Sequence, residues 1–254
     1  MKEKILNSLD QIEKEYKVKI ILACESGSRA WGFPSKDSDY DVRFLYVNPR
    51  DWYLTISEKS YVIELPISDE LDINGWDLKK ALKLLRKSNS PLLEWLSSPI
   101  QYREWNSAVD PIKKLSKKAF MPKSSCYHYL SVARNCISTF QNDEKIKLKK
   151  YMYAIRTILC CQWIVENLNQ PPMHINELIT VLLAEDDLKE TIRRLISIKM
   201  EHPEKYLVQR SPIIEKYIAD QSDDLSRKIP ENFTKPEIEE FDKVFRKILD
   251  KVNI

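Results

Sequence analysis

Glycine is nearly missing from this chain. Only 3 occur in 254 residues, where average usage of ~7% predicts about 18. Such a chain is expected to be mostly helix and short strand, so each glycine it keeps calls for a reason. Also missing is any apolar run near the ~18–20 residues that cross a bilayer, and no charged-then-apolar leader opens the sequence. These absences exclude integral membrane and secreted proteins and predict a cytoplasmic protein with no membrane partner. Cysteine is sparse and unpatterned: Cys24, Cys126, Cys136, Cys160 and Cys161 are an odd number with no C-x-x-C pair, as suits buried thiols in a reducing compartment. None has a basic, His-paired neighbourhood readable in the sequence, which argues against nucleophilic cysteine chemistry. His128, His174 and His202 are too scattered for metal-ligand spacing. The charge balance, 41 basic residues against 38 acidic, does not by itself say whether nucleic acid is a partner.

What is present is a clear change of pattern along the chain. Residues 2–17 read as an amphipathic helix with Ile5, Leu9, Ile12 and Tyr16 on one face. Lys19 to Cys24 and Val42 to Val47 are β-rich apolar runs separated by the turn-rich ESGSRAWGFPSKDSDYD, giving strand, loop, strand. A short helix is expected near Trp52, then a hairpin of Tyr61–Leu65 and Leu71–Gly75 around PISDE. Asp77 caps a helix of good formers, LKKALKLLRK, and Pro91 starts another, LLEWL. Beyond about residue 113 no strand signal persists. Helices are expected over 125–140 (Leu130, Ala133, Ile137 and Phe140 as core stripe), 145–168 (Met152, Ile155, Leu159 and Trp163 inward), 175–184, 186–200, 212–219 and 235–252. The layout is α+β, with a small α/β domain over 1–112 and an all-helical domain over 113–254.

Charge divides in the same place. Between Pro111 and Cys160 stand 11 Lys or Arg and 2 acids, Asp143 and Glu144, a solvated helical face or a positive wall facing phosphate. Lys149, Tyr153 and Arg156 are spaced four and three apart and share one helical face, roughly opposite the apolar stripe.

All three glycines, Gly27, Gly32 and Gly75, fall in the two segments that also carry unexplained carboxylates. A Gly27–Ser28 turn after a strand can bring backbone N–H groups close to phosphate oxygens, with the serine hydroxyl adding a hydrogen bond. Asp39 and Asp41, two apart in an extended segment, project from one face. Two carboxylates that close repel by ~4 kcal/mol at 4 Å and an effective ε of 20, so a hard divalent cation is the natural partner. A third carboxylate would complete the set. Strand alternation through ELDING turns Leu71 and Ile73 inward and Asp72 outward, whereas Asp77 is explained as a helix cap, so Asp72 is favoured. Trp31 and Phe33, flanking Gly32, either stack on a base or pack beneath the loop.

These residues resemble the DNA polymerase beta nucleotidyltransferase superfamily, whose hallmark is a Gly-Ser turn, a D-x-D pair about ten residues on, and a third Asp on a nearby strand. The strings GSRAWGFPSKDSDYDVRF, LDINGWDLKKALKLL, SPLLEWLSSPI and LKKYMYAIRTILCCQWI resemble, more narrowly, the RNA-repair-pathway (RNA-ligase-associated) branch. The resemblance covers most of residues 20–180 and departs from the expected Leu-Arg-Pro at Ile155–Arg156–Thr157. It implies a minimal polymerase-beta-like catalytic domain in which Gly27 and Ser28 hold a nucleoside triphosphate such as ATP. Asp39 and Asp41 would bind two Mg²⁺ ions, with Mn²⁺ an alternative, and Asp72 would share one metal beside the attacking hydroxyl. Arg29, Lys149, Tyr153 and Arg156 would contact the nucleotide. Arg43 would either do so too or form an ion pair that quiets Asp41. The implied reaction moves a nucleoside monophosphate onto an acceptor hydroxyl and releases pyrophosphate. RNA is the expected acceptor. The alternatives are nucleotidylation of a protein or small molecule, or a catalytically silent nucleotide-binding partner. The base used, any template and the oligomeric state are left open.

Overall fold

The computed structural model describes the chain except for residues 69, 141–143 and 253–254 and the side chain of Phe140. Asp69 of the expected hairpin turn, Asp143 of the charge count and the Phe140 side chain of the expected stripe therefore lie outside the described residues. The fold is α+β, a small mixed sheet with many helices. No helix among the described residues is long and apolar enough to cross a membrane. All five cysteines are buried free thiols. The chain forms two compact units that interleave in sequence: residues 1–27, 39–120 and 234–254 make the first, residues 28–38 and 121–233 the second.

The first unit is built on a five-stranded sheet in the order β3-β4-β2-β1-β5. Its strands are β1 (Lys19–Glu25), β2 (Tyr40–Val47), β3 (Val62–Glu64), β4 (Leu71–Asp77) and β5 (Gln101–Glu104). Only β2 and β4 run parallel. Helix α1 (Lys2–Tyr16) buries Ile5, Leu9 and Ile12, three and four residues apart and so on one face. They pack with Val42, Phe44, Tyr46, Leu71 and Ile73, the residues of β2 and β4 that alternate onto the same side of the sheet. Each such side chain contributes about 1.5–3 kcal/mol. Asp41, Arg43, Asp72 and Asn74 are thereby turned to the opposite side.

The strand–loop–strand, the hairpin, the short 3-10 helix at Arg50–Leu54 and the capped helix α3 (Leu78–Leu85) stand where the sequence places them. The short helix after Pro91 is α4 (Ser90–Ser97). Strand β5 and helix α5 (Asn106–Ala119) have no counterpart in the sequence reading, because Pro111 sits inside α5 and a proline ordinarily ends a helix. Helix α11 (Ile238–Leu249) also belongs to the first unit.

In the second unit α7 (Leu148–Asn167) is buried on nearly all sides, packing against α6 (Pro122–Ile137), α8 (Ile175–Leu182), α9 (Asp186–Glu201) and α10 (Pro212–Arg227). Met152, Ile155 and Leu159 are buried as expected, whereas Trp163 is half-buried and donates to Asn169 at 2.7 Å. The expectation of no strand past residue 113 is corrected by β6 (Lys145–Lys147) and β7 (Leu207–Gln209), which pair antiparallel. Three residues each are too few for an alternation to register. The segment 28–38 begins in the short helix α2 (Gly27–Trp31).

Gly75 leaves room for a ring in the parallel pair. It lies opposite Phe44, and a Cβ there would collide with the Phe44 ring. Gly75→Ala is expected to destabilise the protein by about 1–3 kcal/mol through overpacking. Denaturant unfolding checks this, and a loss below about 0.5 kcal/mol would show that the ring is free to move aside.

Candidate active site

The parallel pairing sets Asp41 directly opposite Asp72, so two carboxylates on neighbouring strands share one face of the sheet. Between them lies a guanidinium. Arg43 Nη2 donates to Asp41 Oδ1 at 3.0 Å and to Asp72 Oδ2 at 2.7 Å. Its Nη1 donates to the carbonyls of Val42 at 3.1 Å and Asp72 at 3.0 Å. Of the two readings open for Arg43, the ion pair is formed, and with both carboxylates rather than with Asp41 alone. All three side chains are part-exposed, so a ligand can reach them.

Asp41 is fixed from every side. Its N–H donates to the Glu25 carboxylate at 2.9 Å, and its carbonyl accepts from the Ser26 N–H at 2.9 Å. Its carboxylate lies against the backbone of Gly27, where a Cβ would collide with Oδ2. Gly27 also has φ +61°, a conformation costly for other residues. Glu25 is fully buried and accepts from Tyr102 Oη as well. The sequence reading missed Glu25 in this role. Its signal is a lone acid closing the apolar strand KIILACE just before the turn, since a buried carboxylate must find donors.

Asp39 is exposed at the approach to β2. No group of three His, Cys, Asp or Glu among the described residues stands ready to hold a metal, so the structure brings together Asp41 and Asp72 but not all three acids. Asp77 acts as the cap of α3, accepting from Lys79 N–H at 2.7 Å, Asn48 Nδ2 at 2.8 Å and Tyr53 Oη at 2.6 Å. Burial pushes its carboxyl pKa up, and the three donors oppose that shift.

The remaining candidates lie in the second unit, which the chain enters at the Gly27–Ser28 peptide. Ser28 is buried and its hydroxyl bonds to Ser38 Oγ at 3.2 Å. Arg29 Nη2 donates to the Ser38 carbonyl at 2.6 Å. Ser38 Oγ in turn donates to Glu204 at 3.1 Å, and Glu204 also pairs with Lys149 at 2.6 Å. Lys199 donates to Ser35 Oγ at 2.8 Å, and burial pulls its ammonium pKa down to about 8. Glu204 and Lys199 carry no local sequence signal, since they act on a loop about 165 residues away.

Arg156 faces inward rather than outward. It is 2% exposed, with its guanidinium carbon 4.3 Å from the centre of the Trp31 ring. Tyr153 meets the same indole edge-on at 5.0 Å, and Lys149 stands 6.0 Å from the Tyr153 ring. Trp31 and Phe33 are 5.9 Å apart, and Phe33 is fully buried, so of the two readings packing beneath the loop is the one seen. Lys199 Nζ lies 5.8 Å from the Phe33 ring.

If the carboxylate of Asp41 is held against Gly27 as described, Gly27→Ala should cost about 1–3 kcal/mol of stability. Adding Asp41→Ala should recover part of that loss, because the colliding group is gone. A double-mutant cycle by denaturant unfolding measures the coupling, and strictly additive losses would contradict the contact.

With this geometry established, the chain can be set beside known proteins. Residues 1–247 match the family described as "RNA repair pathway DNA polymerase beta family". The chain is 47% identical over 218 residues to the Bacillus subtilis (strain 168) protein described as "Uncharacterized protein YcgL", covering 86% of this chain and 84% of that one. A crystal structure of a nucleotidyltransferase-like protein from Exiguobacterium sibiricum 255-15 aligns over 98% of this chain and 81% of that one. Its identity of 14% and TM-score of 0.31 are too low to carry an argument. The family match over nearly the whole length makes this chain a member of the RNA repair pathway DNA polymerase beta family, a polymerase-beta-like nucleotidyltransferase.

Proposed function

We propose that the protein transfers a nucleoside monophosphate from a nucleoside triphosphate to a hydroxyl of RNA, releasing pyrophosphate. The observation that carries this reading is the Asp41–Arg43–Asp72 arrangement: two strand-borne carboxylates in register, sharing one cation, with Gly27 leaving the space that the Asp41 carboxylate occupies. The donor set suits a hard divalent ion, being oxygen-only, part-exposed and already arranged around positive charge. Asp41 and Asp72 would hold Mg²⁺ or Mn²⁺, and for Asp39 as a further ligand the support is the family resemblance alone. Two such ions would supply charge stabilisation at the attacking and leaving oxygens.

The chain's own residues divide the remaining work. Asp72 would accept the proton of the attacking hydroxyl. Glu25 and Gly27 position Asp41. Arg43 keeps the like charges of Asp41 and Asp72 together, offsetting a repulsion of order ~4 kcal/mol at 4 Å and an effective ε of 20. For Ser28 and Arg29 as triphosphate contacts the support is the family resemblance, and for Lys149 and Tyr153 their shared helical face; Arg156, buried against Trp31, is not among them. RNA as acceptor is supported by the family description, and a reducing cytoplasmic compartment by the five free buried thiols.

The test is incubation with each α-labelled nucleoside triphosphate and Mg²⁺ or Mn²⁺ in cell extract. Label is expected on RNA, and Asp41→Asn or Asp72→Asn should lower its transfer more than about 100-fold with the fold intact by circular dichroism. Label on protein or on metabolites instead would replace the acceptor. Undiminished metal-dependent pyrophosphate release in both variants would refute the chemistry.

A further inference from the structure

The basic segment between Pro111 and Cys160 is less available than its sequence suggests. Lys113, Lys118, Lys123 and Lys149 each face a carboxylate from outside the segment: Glu104, Glu240, Glu231 and Glu204. Arg156 is buried. The segment's other lysines meet no carboxylate among the described residues, and a second group of lysines stands on α3 and in the turn after it. Lys79, Lys80, Lys83 and Lys87 line a pocket of about 290 Å³ together with Tyr61. None of the four ammonium groups meets a carboxylate among the described residues.

The fold gives no reason for this cluster. At 100° per residue Lys79, Lys80 and Lys83 fall within an arc of roughly 100°, opposite the buried Leu78, Ala81, Leu82 and Leu85, and Lys87 follows in the turn after the C-cap. Lys79 and Lys83 stand at i and i+4 on the helix, a spacing at which like charges oppose helix formation. Lys79 and Lys80 lie in the first turn, where the helix dipole disfavours cations, with the buried Asp77 at the N-cap before them. Aromatic rings stand among the ammonium groups: Lys83 Nζ is 5.9 Å from the Tyr61 ring and Lys80 Nζ 5.4 Å from the Trp76 ring. Trp76 continues the face of β4 that carries Asp72 and Asn74, since alternate residues share a side. Five residues of strand at ~3.3 Å each put the start of α3 about 17 Å from Asp72.

We propose that this α3 face is the docking surface for the single-stranded RNA acceptor. The lysines take successive phosphates, and the half-buried Tyr61 ring among them is the stacking partner for a base. The inference deepens the proposed function and rests on its choice of RNA.

Binding of a short fluorescein-labelled single-stranded RNA by anisotropy, across a salt series, tests it. Lys79→Gln, Lys83→Gln and Lys87→Gln combined should weaken binding at least tenfold. They should also reduce the slope of log affinity against log salt by about 2, from three phosphate contacts at ~0.7 each. Lys114→Gln, Lys117→Gln and Lys118→Gln combined, an equal charge loss on α5, should weaken it less than twofold. In the unsubstituted protein, bound RNA should protect Lys79, Lys83 and Lys87 from amine acylation. Equal weakening by both triple variants, no protection, or no RNA binding at low salt would overturn the proposal. The chemistry is read separately from label transfer. RNA binding that depends on α3, without transfer to any RNA, would refute the chemistry and leave the surface standing. Transfer to RNA that ignores the α3 substitutions would refute the surface and leave the chemistry standing.

Discussion

Two like charges fixed at one register of a parallel strand pair are the constraint on which the candidate site depends. Asp41 and Asp72 cannot drift apart without breaking the β2–β4 ladder that places them opposite each other. The repulsion between them must be met by a cation, and in this protein Arg43, two residues along the same strand, meets it. The supporting contacts follow from that need. Glu25 and Ser26 grip the Asp41 backbone, and Gly27 clears the space its carboxylate occupies. Such support costs conformational freedom and buries a carboxylate, which is tolerated where geometry must be held closely.

The three glycines show how little slack the chain keeps. Each marks a place where another group comes too close for a Cβ: the Asp41 carboxylate at Gly27, the His174 ring at Gly32, the Phe44 ring at Gly75. Gly27 and Gly75 act on the same strand pair from two directions, one leaving room for the carboxylate and the other for the ring. In the second unit, Gly32 lets the loop after α2 pack on His174, while Ser35, Ser38, Lys199 and Glu204 tie that loop to helix α9 and the segment after it.

Much of this was legible from residues alone. Alternation through ELDING separates Asp72 from its buried neighbours, and the position of Asp77 before LKKALKLL marks it as a cap; the structure assigns both sides that way. The glycine positions pointed to the segments that matter. Illegible were features without a local period. Strand β5 is four residues long, α5 hides a proline, and β6 and β7 are three residues each. A run of lysines also says nothing of the acids that fold onto it: within the basic segment Lys113 meets Glu104 and Lys118 meets Glu240, both from outside the run.

The central claim is that Asp41 and Asp72 together make one cation site. The direct measurement is Mn²⁺ titration followed by electron paramagnetic resonance, with a nucleoside triphosphate present and Asp77→Asn as a carboxylate control. The account predicts protein-dependent Mn²⁺ binding that is lost in Asp41→Asn and equally in Asp72→Asn, and retained in the folded control. Binding that survives the removal of either carboxylate would contradict it.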